Sequence, residues 1–314
     1  MIWVTGCKGL LGKEICRNLS ESDLYWQGTD TEVDITNYEE ILKFVKEIET
    51  KASFPSKIPH EFRKINWIIN CAGFYSTSDS EDNKEKIFAV NSKGITNLAR
   101  VSREIGSKVI NISYSDVFDG NSKEAYTEDS IKNPISIYGQ ALADGETSLK
   151  KEMNQYYIIR NSFVYGLDQN NYFYKLINQL KNESSLSIPD DIYISPVNAC
   201  DLSSLIIDLI KKSISAKAFF GKNSAPSYGV YNFADENSIS LYEFAKEVNR
   251  LLIKHGKTKN VCNINPCSKN DLEEYKSFLN NSSLNNSKIC KEFKIKTPLW
   301  TKSLEKLIKD KRFI

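Results

Sequence analysis

The sequence predicts an α/β protein with a doubly wound parallel sheet and a smaller C-terminal α/β lobe. Short apolar segments alternate with helical segments through the first half of the chain, which is typical of parallel strands joined by crossover helices. The first apolar segment, Ile2 to Val4, leads directly into glycines spaced three residues apart, at Gly6, Gly9 and Gly12. The alternation becomes less regular in the second half, which indicates a separate lobe.

The length of the chain is sufficient for two lobes, since 314 residues exceed the size at which one hydrophobic core usually serves a whole chain. We expect a first domain over residues 1–165, to which parts of 195–235 return. The smaller lobe is expected over residues 166–314.

Composition and charge exclude several classes of function. The 42 basic and 40 acidic residues give a net charge of +2, which does not favour a nucleic-acid or membrane partner. The apolar runs are too short to cross a bilayer, and the chain enters a predicted core strand at once, so we expect no signal peptide and a cytoplasmic protein. Seven scattered cysteines and two histidines lack the spacing of a metal site, so a reduced, metal-free protein is expected.

The glycine-rich segment after the first strand is typical of a nucleotide-binding turn. Glycines let the backbone turn tightly and approach a pyrophosphate, and the helix that follows supplies N–H donors and the positive end of its dipole. An ordinary strand–helix turn is the alternative interpretation. We expect a dinucleotide to be bound here by Gly6, Lys8, Gly9, Leu10, Leu11 and Gly12.

The other predicted elements follow in the order that a doubly wound sheet requires. The predicted strands are Leu24 to Trp26, Ile65 to Asn70, Lys108 to Ser113, Tyr156 to Arg160, a short strand within Asp190 to Val197, and Gly229 to Phe233. The predicted helices are Lys13 to Leu19, Tyr38 to Glu49, one around Asn91, Gln140 to Lys151, Asn171 to Lys181, Ala199 to Lys212, Ser240 to His255 and Trp300 to Lys309. Polar loops are expected over 51–64 and 76–83.

An acidic residue after the second strand indicates how the adenosine ribose is held. Asp30 lies 24 residues after Gly6, where a dinucleotide fold places an acid on the ribose hydroxyls. No arginine follows within the turn to bind a 2′-phosphate, which favours NAD over NADP. A solvated turn aspartate is the alternative. Asp34 and Ile35 follow and could reach the adenine.

Small residues at the end of the third strand favour close approach of a cofactor. Cys71, Ala72 and Gly73 come directly after this strand, at the sheet edge where ligands of parallel sheets bind. Asn91 lies on the helix that follows. We expect all four residues to contribute to the cofactor site.

Together these features resemble the extended short-chain dehydrogenase/reductase family, and within it the sugar-nucleotide branch that includes dTDP-4-dehydrorhamnose reductase. The resemblance runs the full length of the chain. It implies a Rossmann-type cofactor domain, NAD or NADP, a nucleotide-sugar substrate, and pairing of the chain into a homodimer. The residues that carry it are Thr5-Gly6-x-x-Gly9-x-x-Gly12, Asn70-Cys71-Ala72-Gly73, Asn91, Val117-Phe118-Asp119-Gly120, Tyr138-Gly139 with Gly145-Glu146, Arg160-x-Ser162-x-Val164-Tyr165-Gly166, Ser195-Pro196, Gly229 to Phe233 and Trp300.

The resemblance also implies a catalytic tyrosine, which is Tyr138 here. In the family, a lysine four residues later lowers the pKa of the phenol, and a serine or threonine on the preceding strand binds the substrate oxygen. Here Leu142 stands at the lysine position and Tyr114 at the serine or threonine position. Ser113 and Ser115 flank Tyr114 and are the candidates for the oxygen anchor; on a continuous strand they would share one face.

Further candidates follow from the same resemblance. Lys132, Lys150 and Lys151 could replace the missing lysine only if the fold brings one of them to Tyr138. An acidic run, Asp79 to Asp82, is either a substrate loop or a solvated loop. The candidate substrate-binding residues are Tyr114, Asp116, Phe118, Asn161 and Phe163.

These observations leave two classes of function open. The first is an NAD(P)-dependent sugar-nucleotide oxidoreductase that reduces a 4-keto sugar for polysaccharide or glycan precursor synthesis, with an altered active site. The second is a catalytically impaired relative that binds a nucleotide or nucleotide sugar and acts as a regulatory or scaffold protein. Epimerisation or dehydration is a third possibility, but it gains little because such relatives also use the tyrosine and lysine.

Overall fold

The structure is a computed structural model, and it describes residues 1–50, 59–76, 81–169, 171–218 and 226–313. The strands are β1 Ile2–Thr5, β2 Trp26–Thr29, β3 Trp67–Asn70, β4 Lys108–Tyr114, β5 Tyr156–Asn161, β6 Phe163–Tyr165, β7 Ser185–Pro189, β8 Tyr193–Ile194, β9 Pro196–Asn198, β10 Gly229–Asn232, β11 Ile239–Ser240 and β12 Asn263–Cys267. The α-helices are α1 Leu10–Ser20, α2 Tyr38–Thr50, α3 Glu81–Phe88, α4 Ile95–Ile105, α5 Ile137–Glu152, α6 Tyr172–Asn182, α7 Ala199–Ala218, α8 Leu241–Lys254, α9 Ser287–Phe293 and α10 Trp300–Lys309. A π-helix, Ala89–Gly94, joins α3 to α4.

Six strands form the central sheet in the order β10-β5-β4-β3-β1-β2. β1 pairs in parallel with β2 and with β3, and β3 pairs in parallel with β4. The chain moves outward from β1 to β2 and then crosses back to β3, so the strand order reverses at β1. Ligands of parallel α/β sheets bind beside the carboxyl ends of the strands at such a reversal. The predicted fold class, an α/β protein with a parallel central sheet, is confirmed.

The chain divides into two compact units. The first comprises 1–117, 132–160 and 203–231, and the second comprises 118–131, 161–202 and 232–314. The core of the first unit forms where strands and helices bury their apolar faces. Its buried side chains include Trp3, Ile68, Val109 and Ile158. Trp3 on β1 is fully buried and its indole nitrogen donates to the Thr29 hydroxyl on β2 at 2.9 Å.

The second unit has its own core and three two-stranded sheets. β6 pairs with β9, β7 pairs with β12, and β8 pairs with β11. Helix α8 packs its apolar face into this core, and Ser240 and Glu243 begin the helix with reciprocal hydrogen bonds to backbone N–H groups.

Several strands differ from the prediction for identifiable reasons. Strand β2 occupies Trp26–Thr29 rather than Leu24 to Trp26, because the polar segment after Trp26 pairs along the whole length of β1. Strands β7 and β12 were not predicted, since their pairing joins segments far apart in sequence. Part of the predicted loops, residues 51–58 and 77–80, lies outside the described residues, as do Asp79 and Ser80 of the acidic run.

None of the helices in the described ranges combines the length and the apolar character needed to cross a membrane.

Candidate active site

The glycine loop between β1 and α1 has little steric room for larger residues at two of its glycines. Gly6 has a φ of +65°, and a Cβ added there would lie 2.5 Å from the backbone nitrogen of Ala72. A Cβ added at Gly12 would lie 2.1 Å from the carbonyl oxygen of Gly6. Glycine is therefore required at both positions to keep this turn closed against the end of β3.

The helix that follows the loop, α1, has its N-terminus directly after Gly9. Gly9 precedes α1 in an extended conformation and offers no side-chain cap. The backbone N–H groups of Leu10, Leu11 and Gly12 therefore begin the helix, where N–H groups lack intrahelical partners. An uncapped N-terminus behind a glycine turn fits a pyrophosphate group, because its N–H donors and dipole favour negative charge.

Asp30 lies at the carboxyl end of β2, as a ribose-binding acid requires. Its carboxylate accepts hydrogen bonds from the backbone N–H of Lys8 at 3.0 Å and from that of Thr31 at 3.0 Å. The ammonium of Lys8 pairs with Glu32 at 3.2 Å on the exposed surface. The loop and the acid are thus in contact through the Lys8 backbone, and the Glu32 carboxylate lies against the Lys8 side chain.

Asp34 and Ile35 have largely structural contacts. The Asp34 carboxylate accepts from the backbone N–H of Thr36 at 2.8 Å, which closes a local turn. The Ile35 side chain is buried, and its Cδ1 lies 2.7 Å from the position of a Cβ added at Gly94. Both lie between β2 and α2, and adenine contact by either residue stays a prediction.

The segment after β3 is held in place by Asn91. This side chain donates to the carbonyl oxygen of Phe74 at 2.6 Å and to that of Ile87 at 3.0 Å, and its own oxygen accepts from the Phe74 N–H at 3.2 Å. Asn91 lies in the π-helix, where it is buried. It therefore positions the Cys71-Ala72-Gly73 backbone beside the glycine loop, and it would act on a cofactor through that backbone.

Three cysteines lie in or near the loop: Cys7 in the loop itself, Cys16 on α1 and Cys71 directly after β3. Burial raises the pKa of the Cys7 thiol, raises that of Cys16 to about 12, and raises that of Cys71 further. These side chains are therefore neutral thiols at physiological pH. Within the described ranges, no group of three cysteine, histidine or acidic side chains could hold a metal ion.

Tyr138 lies in the first turn of α5, which begins after Ser136. The Ser136 hydroxyl accepts from the Gly139 N–H at 3.0 Å and caps the helix. Burial raises the pKa of Tyr138 well above its ordinary value of 10, and the nearby Tyr114, Asp116 and Tyr75 raise it further. The aromatic ring of Tyr75 meets that of Tyr138 edge-on at 5.2 Å, a neighbour that the sequence did not reveal.

The expected electrostatic partner of Tyr138 is replaced by apolar packing. Leu142, one turn further along α5, is 3% exposed. Lys132 does not take its place: its ammonium donates to the Ala143 carbonyl at 3.0 Å and pairs with Glu146 at 3.4 Å. In the described part of the chain, no cation lowers the pKa of Tyr138.

A buried ion pair joins this region of α5 to β5. The guanidinium of Arg160 binds both carboxylate oxygens of Glu146, at 2.8 and 2.7 Å. Burial alone would raise the pKa of Glu146, but Arg160, Lys132 and a hydrogen bond from Ser113 hold it below its usual value. Because the Ser113 hydroxyl donates to Glu146 at 2.8 Å, Ser113 belongs to this network.

Ser113 and Ser115 do not share a strand face. Strand β4 ends at Tyr114, and Ser115 begins a short 3-10 helix, Ser115–Val117. The expectation for a continuous strand therefore does not apply. Ser115, which is also buried, is the better placed of the two serines for a role outside the Glu146 network.

Asp116 lies in the same 3-10 helix, and its backbone packs on the start of α5. A Cβ added at Gly139 would lie 2.1 Å from the Asp116 carbonyl oxygen. Burial raises the pKa of the Asp116 carboxyl to about 6. Tyr114, whose ring centroid lies 6.3 Å from that of Tyr138, has its own pKa raised by burial, by Cys71 and by Asp116.

Three candidate substrate residues lie in the second unit. Phe118 is buried and stacks on Tyr126 with ring centroids 4.3 Å apart. Asn161 is the buried last residue of β5, and Phe163 begins β6, where its ring packs against Phe244 at 5.2 Å. Their substrate contacts stay predictions.

Comparisons with known proteins match the whole chain. A dTDP-4-dehydrorhamnose reductase of Aggregatibacter actinomycetemcomitans is 27% identical over 306 residues, 97% of each chain. The structure of a Clostridium acetobutylicum dTDP-4-dehydrorhamnose reductase superposes with a TM-score of 0.82 at 28% identity, covering 98% of both chains. That of a Bacillus anthracis dTDP-4-dehydrorhamnose reductase in complex with NADP gives 0.80 at 27% identity, again covering 98% of both chains.

The family comparison confirms the resemblance that the motifs indicate. A sugar-nucleotide reductase family of this kind is consistent with the glycine loop, the strand order and the position of Tyr138 described above. The family model described as the RmlD substrate binding domain matches residues 1–313, and the chain belongs to this family.

Proposed function

We propose that the protein is an NAD(P)-dependent sugar-nucleotide reductase that reduces a 4-keto group on a nucleotide-linked sugar, of the dTDP-4-dehydrorhamnose type. The observation that carries the proposal is the closed glycine loop at the point where the strand order reverses. Backbone packing at Gly6 and Gly12 keeps this loop in the form that a pyrophosphate needs. The names of the full-length relatives support the substrate class.

The first unit supplies the groups that would hold the cofactor. The N–H groups of Leu10, Leu11 and Gly12 would receive the pyrophosphate, and Asp30 the adenosine ribose. A bound reduced nicotinamide supplies the hydride for the carbonyl carbon. The Tyr138 hydroxyl, which retains its proton because its pKa is high, donates a hydrogen bond to the carbonyl oxygen.

We propose NAD as the preferred cofactor. Asp30 follows β2, and Glu32 lies close by. Two carboxylates would repel a 2′-phosphate, whereas Asp30 alone can accept from ribose hydroxyls. The structure of the Bacillus anthracis relative contains NADP, so the proposed preference differs from the cofactor seen there, and titration with both reduced cofactors tests it.

The second unit is proposed to hold the sugar nucleotide through Phe118, Asn161 and Phe163. We also propose a cytoplasmic homodimer, which is the assembly that the family resemblance implies. The seven free cysteines fit a reducing compartment.

The competing function is a protein that binds the cofactor or nucleotide sugar without turnover. The observation that favours it is Leu142, which leaves Tyr138 without a cation to lower its pKa. Loss of such a group typically lowers the rate by on the order of a hundredfold or more.

Two measurements separate these functions. Titration with NADH and NADPH, followed by nicotinamide fluorescence, tests the cofactor site. Incubation with a dTDP-4-keto-6-deoxy sugar and the preferred cofactor, followed by chromatography of the nucleotide sugar, tests reduction. Cofactor binding with turnover supports the reductase, and cofactor binding without turnover supports the regulatory protein. Absence of cofactor binding refutes the reductase and leaves only a protein that binds the nucleotide sugar.

A further inference from the structure

Tyr75 is an exposed aromatic residue beside the catalytic candidate Tyr138. It follows the end of β3, at the edge of the sheet where ligands of this fold bind. Its ring meets the ring of Tyr138 edge-on, with the centroids 5.2 Å apart and the planes at 82°. Tyr75 nevertheless remains 57% exposed. Much of this side chain is therefore accessible to a ligand that lies against Tyr138.

The backbone that carries Tyr75 is held by a buried side chain. Asn91 donates to the Phe74 carbonyl oxygen at 2.6 Å and accepts from the Phe74 N–H at 3.2 Å, so both polar groups of the preceding residue are bound. Asn91 is in turn held by the Ile87 carbonyl oxygen at 3.0 Å. A tyrosine has only two side-chain torsions, so on a held backbone it offers a large contact area at a low cost in conformational entropy.

The surroundings of Tyr138 are aromatic and apolar. The ring of Tyr114, at the end of β4, has its centroid 6.3 Å from that of Tyr138. Leu142, one turn further along α5, is buried. The resemblance implies a serine or threonine and a lysine at these two positions. Pockets for small ligands are lined mainly by aromatic and apolar side chains with a few polar groups, and aromatic rings pack well on the C–H groups of a ligand.

We propose that Tyr75 is a sugar-binding residue, whose ring packs on a C–H face of the hexose of the nucleotide sugar. This role rests on the proposed function. The hexose is the expected occupant because Tyr75 contacts Tyr138, the residue whose hydroxyl would bind the sugar carbonyl. The cofactor is expected nearer the Ala72 backbone, which packs against Gly6 of the glycine loop.

The first test measures binding without turnover. dTDP-glucose carries a hydroxyl at C4 and cannot be reduced there, and dTDP is the same nucleotide without the sugar. Calorimetric titration with each, at saturating NADH, gives the contribution of the hexose to binding. We expect Tyr75→Ala to weaken dTDP-glucose binding by about tenfold and to leave the dissociation constants of dTDP and NADH unchanged. Tyr75→Phe keeps the ring and should bind dTDP-glucose within about twofold of the wild type.

Tyr25 provides a matched control. It is also an exposed tyrosine whose ring contacts another ring, that of Phe62 at 4.9 Å. It directly precedes β2, however, so it lies at the amino ends of the parallel strands, away from the ligand-binding edge. Tyr25→Ala should bind dTDP-glucose and dTDP as the wild type does. Because both tyrosines are exposed, both alanine variants should keep a melting temperature near the wild-type value.

The second test measures kinetics on the same variants. A contact made equally in the bound substrate and in the transition state raises KM when it is removed and leaves kcat unchanged. We therefore expect Tyr75→Ala to raise KM for a 4-keto nucleotide sugar by about tenfold with little change in kcat.

The outcomes separate the role of Tyr75 from the proposed function. Equal affinity of the wild type and Tyr75→Ala for dTDP-glucose would overturn the role of Tyr75. So would a Tyr75→Ala variant that loses affinity for NADH but not for dTDP-glucose, since the ring would then lie on the cofactor. A wild type that binds dTDP-glucose through Tyr75 but reduces no 4-keto nucleotide sugar would overturn the reductase alone. A wild type that binds neither nucleotide would overturn both.

Discussion

The glycine loop and the segments where β4 ends and α5 begins lie in the same compact unit, yet they fit the pattern that the resemblance implies to different extents. Every glycine that the nucleotide turn needs is present, and Gly6 and Gly12 are sterically fixed by backbone contacts. At the junction, Leu142 and Tyr114 stand where the resemblance implies a lysine and a serine or threonine. Within the described residues, burial and neighbouring groups raise the pKa of the Tyr138 phenol and no cation lowers it.

This difference separates the physical requirements of binding from those of catalysis. The loop binds through backbone N–H groups, so its function depends on shape and not on side-chain charge. The junction depends on the surroundings of one phenol, because burial and nearby acidic groups raise its pKa, whereas a cation beside it would lower it. Cofactor binding can therefore persist where no cation lies beside the catalytic candidate Tyr138.

A substitution in the loop should have the largest effect. We expect Gly12→Val to weaken NADH binding by at least about a hundredfold, or about 3 kcal/mol, because its side chain would displace the Gly6 carbonyl. The dissociation constant by fluorescence titration measures this. Gly9→Ala is the comparison, since a Cβ there meets the Gly6 oxygen at 3.4 Å, an ordinary contact that should leave the melting temperature near the wild-type value. Unchanged affinity in Gly12→Val would show that the loop does not bind the cofactor.

Restoring the missing cation should have the next largest effect. In Leu142→Lys, a nearby ammonium should lower the pKa of Tyr138 by about 1–3 units, while burial of the charge costs about 1–3 kcal/mol of folding free energy. Ultraviolet titration of tyrosinate and urea unfolding measure the two quantities.

Leu142→Met controls for the change of shape, since it adds length without charge. We expect Leu142→Lys, but not Leu142→Met, to raise kcat above the wild-type value. A Leu142→Lys variant that binds cofactor, shows a lowered Tyr138 pKa and gains no turnover would remove Tyr138 from the proton transfer.

Substitutions of Ser113 and Ser115 distinguish a structural role from a catalytic one. Ser113→Ala removes a donor to the buried Glu146, so we expect a loss of about 1–3 kcal/mol in the free energy of unfolding with little change in kcat. Ser115→Ala should lower kcat/KM by about tenfold with a smaller loss of stability, if Ser115 anchors the substrate oxygen. Urea unfolding and steady-state kinetics separate the two. The reverse pattern would exchange the roles of the serines.

The sequence predicted the loop well because its requirements are local. Gly6 and Gly12 follow a strand at fixed spacing, and their role can be inferred from that spacing alone. Lys132 shows the opposite case: it lies 14 residues before Glu146 in sequence, and only the fold shows that its ammonium binds Glu146 and not Tyr138. The neighbours of Tyr138 are likewise seen only in the fold, since Tyr75 lies 63 residues before it in sequence and yet meets its ring edge-on at 5.2 Å.

The smallest effect concerns the choice of cofactor. We expect Asp30→Ser to weaken NADH binding by about tenfold, because the ribose hydroxyls lose their acceptor, and to strengthen NADPH binding, because one repulsive charge is removed. The ratio of the two dissociation constants, measured at fixed ionic strength, reports the change.

Glu32→Gln is the matched control, because it removes the neighbouring charge but leaves the Asp30 carboxylate in contact with the Lys8 N–H. It should improve NADPH binding while leaving NADH binding near the wild-type value. Equal ratios in wild type, Asp30→Ser and Glu32→Gln would mean that these carboxylates do not reach the ribose, and the loop would then hold the cofactor through its pyrophosphate alone.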